Sequence, residues 1–145
     1  MIVHFPIVFL LTTLILDFAA MARGGDLGGA ALLPRVSAGA LALAAGFGVV
    51  AFLFGDIAYD RAVAAGFPRD ALEAHEGLGT ATMAILVALA LLRLAARWVG
   101  IGMGGGRGWL LALGTLAATG VMLTAAYHGG QLVYELGVNV ASAKP

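Results

Sequence analysis

"VSAGALALAAGFGVVAFLFG", residues 36–55, carries no charged side chain from end to end. Wound as a helix at 1.5 Å per residue, a segment of this length crosses a hydrocarbon core of about 30 Å. Three more stretches are nearly free of charge, 2–22, 77–92 and 108–134, and the middle one spans with help from its flanks. The chain is 61% hydrophobic and 11% charged, with a mean hydropathy of +1.00 over 145 residues, more apolar surface than so small a water-soluble domain could hide. The expectation is an all-α, integral membrane four-helix bundle in one domain, 1–145, with helices at about 2–22, 36–55, 71–97 and 108–136.

Several classes are excluded at this stage. Cysteine is absent, so no disulfide framework, thiolate cluster or covalently attached c-type haem is expected. A net charge of zero removes the electrostatic ground for a nucleic-acid partner. Ala20, Met21 and Ala22 resemble a signal-peptide cleavage site, but no Lys or Arg precedes the apolar run, and the run exceeds an ordinary signal core. The first segment is expected to stay in the mature protein.

Orientation follows from the arginines. The joints Arg23–Arg35 and Arg93–Arg107 hold Arg23, Arg35, Arg93, Arg97 and Arg107 against the single acid Asp26. That side is expected in the cytoplasm, because cytoplasmic connections carry the excess of Lys and Arg. The opposite side holds Asp56, Asp60, Asp70, Glu73, Glu76 and Glu135 against Arg61, Arg69 and Lys144. The bundle is thus expected to run antiparallel, up-down-up-down, with both termini outside, in a bacterium the periplasmic face of the inner membrane.

With that topology His4, His75 and His128 all fall at the outer end, joined by Asp56. In "FPRDALEAHEGLGTATM", Pro68 closes a turn and Asp70 with Glu73 reads as a capping box, so a helix is expected from Ala71. His75 then lies about 6 Å inward. Gly79 and Met83 follow on its face, making a ledge with a recess beneath. In "AAYHGGQLVYELGV", residues 125–138, His128 lies about 10 Å inside Glu135. Gly129 and Gly130 beside it permit close approach of a flat ligand or another backbone. His4, ahead of Pro6, is shallower.

The opening "HFPIVFLL" with Asp17, the "GDIAYD" ending the second segment, the histidine opening the third and "GGQLVYELGV" closing the fourth resemble a bacterial four-helix membrane family of unknown function. The likeness spans the whole chain. The histidine before paired glycines is similar to a subset found with cytochrome-type respiratory modules, which implies redox work.

The leading expectation is a b-type haem near the outer face with His75 and His128 as axial ligands, His4 nearby, and Arg61 and Arg69 neutralising the propionates. Two imidazoles would close the coordination sphere, favouring electron transfer, with a periplasmic redox partner, over enzymatic turnover. An alternative uses His4, Asp56, His75 and His128 as ligands to zinc or copper, or as a proton-handling site. A third is a structural or partner-binding subunit, or a homo-oligomer, packed through the small-residue stripe Ala40, Ala44 and Gly48.

Other features have structural explanations. Asp17 lies about 20 Å below His4 and level with Arg93, so an ion pair is expected. "GIGMGGG" holds a G-x-G-x-x-G at Gly100, Gly102 and Gly105, but with no preceding strand it is a flexible loop. Tyr127, Tyr134, Trp98 and Trp109 fit interfacial belts, and Met83 and Met122 fit packing.

Overall fold

The computed structural model describes residues 2–138 and 140; the extreme ends of the 1–145 domain, Lys144 among them, lie outside the described residues. Four helices account for nearly all of it: α1 (His4–Ala22), α2 (Leu32–Ala64), α3 (Arg69–Trp98) and α4 (Gly105–Tyr134). Each is long and apolar enough to cross a membrane. They pack in a ring, α1 on α2, α2 on α3, α3 on α4 and α4 on α1, leaving α1 and α3 diagonal to each other.

One helix end and one helix start differ from expectation for local reasons. Helix α2 runs about two and a half turns past Gly55, because no glycine or proline interrupts the chain before Gly66 and Pro68. Its extension is held by Ala62, which packs with Leu72, Leu132 and Val138 in an apolar cluster flanked by Tyr59 and Phe67. Asp56 therefore sits inside a helix, not at its end. Helix α3 starts at Arg69, which puts Asp70 within the first turn, and the expected capping box makes no side-chain hydrogen bond. Gly66 closes α2 with φ of 87°, and Phe67 donates its N–H to the Ala62 carbonyl, satisfying acceptors the helix leaves open.

Outward faces are apolar: Ile15, Leu94 and Leu110 are more than 60% exposed, which water would penalise and lipid tails would not. The interior is built from small residues, as expected where lipid is as apolar as leucine and helices gain by approaching closely. Ala40, Ala44 and Gly48 belong to this interior; all three are buried, and a Cβ on Gly48 would already touch Leu86. The stripe expected to serve an external interface is thus spent inside the bundle.

One end is tied by polar groups. Asp17, fully buried on α1, pairs with buried Arg93 on α3 at 2.9 Å, as expected from their matching depth. Ser37 on α2 donates its hydroxyl to the same carboxylate, and Thr115 on α4 lies 3.4 Å from its other oxygen, so every helix contributes one member. The Arg93 guanidinium also donates to the carbonyls of Leu27 at 3.3 Å and Pro34 at 3.2 Å, fastening the α1–α2 connection. Arg97 does the same for Gly28 and Gly29. Asp26 accepts from the N–H groups of Gly28 at 2.8 Å and Met103 at 2.6 Å, and Leu27 donates to the Met103 carbonyl at 3.0 Å. The "GIGMGGG" segment is therefore a docked connection rather than the flexible loop expected of it.

Candidate functional site: a cavity at the histidine end

A cavity of about 560 Å³ opens at the end of the bundle away from the Asp17–Arg93 pair, within the range of small-molecule sites. All four helices line it: His4 and Ile7 from α1, Asp56 and Tyr59 from α2, His75, Glu76, Gly79, Thr80 and Met83 from α3, and Ala125, Gly129 and Gly130 from α4. Its floor is Gly48, Leu86 and Met122, the last two also members of the central apolar core.

His75 is the most constrained polar group on the wall. It is half-buried in the second turn of α3, and its Nδ1 lies 2.9 Å from the carbonyl oxygen of Ala125 on α4. A carbonyl only accepts, so Nδ1 carries the proton, and whenever the ring is neutral its lone pair lies on Nε2. The imidazole rests on Gly129: a Cβ there would come within 2.8 Å of His75 Cε1. Glycine at 129 is what lets α3 and α4 meet through this ring. Gly79 and Met83 continue below His75 along α3, so the recess expected beneath it is present. Thr80 adds a buried hydroxyl with no hydrogen-bond partner among the described residues, unusual for a polar atom out of water.

The other expected residues divide. His4, exposed at the start of α1, lines the same cavity as His75 and comes from the diagonal helix. Asp56, exposed, lines it too. His128 is half-buried, stands edge-on to Tyr127 with ring centroids 5.7 Å apart, and is not among the lining residues. Inward-facing Ala125, Gly129 and Leu132 define the buried side of α4, and residue 128 lies off that side. Arg61 and Arg69 are exposed and outside the lining; its charged side chains are Asp56 and Glu76. Among the described residues, no three His, Asp or Glu side chains come together as a group that could hold a metal ion, so His4, Asp56, His75 and His128 do not converge.

Tyr59, Glu76 and Thr80 were not anticipated. Helical spacing alone points to them: Tyr59 follows Asp56 by three residues, and Thr80 follows Glu76 by four, each pair sharing one helix face.

A protein family described as "Predicted membrane protein (DUF2231)" matches residues 1–142. The chain belongs to this family. The match covers all four helices and both polar ends, so the buried quartet and the cavity each lie within the DUF2231 region. No curated protein and no solved structure matches the chain.

Proposed function

We propose that this DUF2231 member is a cofactor-binding electron-transfer protein that takes a b-type haem into the cavity, with His75 as a residue that would hold its iron. The observation that supports this most is the Nδ1–H of His75 held by the Ala125 carbonyl. Ligating histidines characteristically donate their other ring N–H to such an acceptor, which fixes the tautomer and strengthens the coordinating nitrogen. The donor set also discriminates between cofactors. A bare zinc or copper ion draws three or four ligands from the protein, and no such group forms among the described residues. Haem would bring its own ring nitrogens and need only one or two side chains from the protein. It would supply one-electron transfer.

His4, which lines the same cavity from the diagonal helix, is better placed than His128 to offer the second imidazole. His128 reaches the cavity only if α4 turns about its axis. Orientation follows the arginine excess: an up-down-up-down bundle in a bacterial inner membrane, with the histidine end and both termini in the periplasm, facing a periplasmic redox partner. A reporter fused at Gly104 tests this, because activity there on the outer side would reverse the orientation.

One observation favours a second reading. Among the described residues the charged wall groups are acids, Asp56 and Glu76, and no Arg or Lys lines the cavity to meet propionates. A neutral quinol, its hydroxyls donating hydrogen bonds to His75 Nε2 and these carboxylates, suits such a wall. The absorption spectrum of protein purified from haem-replete cells separates the two. A Soret band, with sharp α and β bands on reduction, lost in His75→Ala and His4→Ala but kept in His128→Ala, is expected. Loss in His128→Ala alone would restore the His75–His128 pairing. A colourless protein would overturn the haem reading and leave the quinol site.

A further inference from the structure

We propose that the groove between α3 and α4 at the arginine end binds one anionic phospholipid, its phosphate on Arg107 and an acyl chain along Leu89, Leu92 and Leu110. This does not rest on any cofactor. The groove has a volume of about 540 Å³ and is otherwise lined by Ile101, Met103 and Leu111. It is apolar along its length, with a single charged group.

Charge decides the occupant. Arg93 spends its guanidinium on Asp17 and two backbone carbonyls, Arg97 on two more carbonyls, and Arg35 donates to the Ala30 carbonyl at 2.8 Å. Asp26, the acid in the two connections at this end, is held by two backbone N–H groups. Arg107 is exposed in the first turn of α4, that turn contains no acid, and no described residue bonds to its side chain. It therefore offers an uncompensated cation where headgroups sit, directly above an apolar slot where acyl chains lie. Phosphate suits a guanidinium's paired donors, and a lipid with net negative charge gains more there than a zwitterionic one, whose own cation offsets the attraction. Basic pockets between spanning helices select anionic headgroups on this principle.

The test uses the full chain in nanodiscs of phosphatidylcholine with a minority of phosphatidylglycerol, followed by mass spectrometry of the lipids that remain bound on release. The expected result is retention of phosphatidylglycerol in preference to phosphatidylcholine, a preference lowered about five-fold by Arg107→Gln, the contribution of one interfacial arginine. Leu110→Trp, which fills the slot, should reduce retention of both lipids. Arg23→Gln, which removes an exposed arginine outside the groove, should leave the preference intact. Equal retention of the two lipids by the wild type, or an unchanged preference in Arg107→Gln, would overturn the proposal. So would an equal effect of Arg23→Gln, which would mean a diffuse basic collar rather than a site.

Discussion

Replacing Asp17 by Asn tests whether the four-helix polar quartet is a unit. The change keeps shape and one acceptor but removes the charge facing Arg93, whose guanidinium is about 1% exposed as a residue and cannot release its proton. Breaking one side of a buried pair costs about 3–5 kcal/mol, since the remaining charge stays desolvated and unpaired. Arg93→Met leaves a carboxylate that can protonate, with Ser37 and Thr115 still beside it, but it also frees the Leu27 and Pro34 carbonyls, each about 1–3 kcal/mol if left unmet. The double variant carries the carbonyl cost without any stranded charge. It should be at least ~2 kcal/mol more stable than the sum of the two single losses, because contacting members of one network are not additive. Reversible unfolding in mixed micelles of mild and denaturing detergent measures all three. Additivity within about 0.5 kcal/mol would refute the reasoning, since independent sites behave that way.

Gly129→Ala should push the His75 ring off α4, because the new Cβ would fall 2.8 Å from Cε1; the His75 Nδ1 proton resonance, protected by the Ala125 carbonyl, should shift or vanish in NMR spectra. Gly108→Ala should lower the thermal midpoint by the equivalent of about 1–3 kcal/mol, since its Cβ would overlap the Met103 carbonyl oxygen and press on Met21 Cε at 2.7 Å. Asp26→Ala should raise amide hydrogen exchange at Gly28 and Met103 together, as both N–H groups lose one shared acceptor. Unchanged exchange at either would show that the connections are held some other way.

The spans were legible because charge is expensive in lipid, so its absence over residues 36–55 or 108–134 carries information that packing cannot blur. Where helices end was less legible, for the same reason. Asp56, Asp60 and Arg61 mark where α2 leaves an apolar medium, not where its backbone turns; that is decided by Gly66 and Pro68. The Asp17–Arg93 pair could be read from depth, since rise per residue converts sequence separation into distance along the bundle. Its partners could not. Thr13, Thr82, Thr119 and Thr124 all satisfy their hydroxyls on the carbonyl four residues back, the ordinary habit of such residues in spans. Thr115 bonds the Leu111 carbonyl in the same way at 3.1 Å and also lies 3.4 Å from Asp17, and nothing in the sequence marks it or Ser37 as the residues that reach another helix.

The site divides along the same line. Depth placed His75, Gly79 and Met83 in a column, and the structure keeps that column because all three sit on one helix at four-residue steps. Depth also paired His75 with His128, since both lie within about two turns of the histidine end. Pairing across helices depends on rotation about each axis, which is set by which face packs best. In α4 the buried face runs through Leu111, Ala118, Met122, Ala125 and Leu132. That choice brings Gly129 under the imidazole of His75 and carries His128 about 100° round the helix from it, toward Tyr127. The paired glycines beside His128 were thus a true signal of close approach, and what approaches Gly129 is the histidine of the neighbouring helix. A histidine ring wedged into a glycine notch, with one nitrogen occupied by a carbonyl and the other on a cavity wall, is a costly arrangement for mere packing. A leucine at 75 would fill the same notch without burying a polar ring, and the proposed cofactor site rests on this placement of the His75 ring more than on any count of histidines.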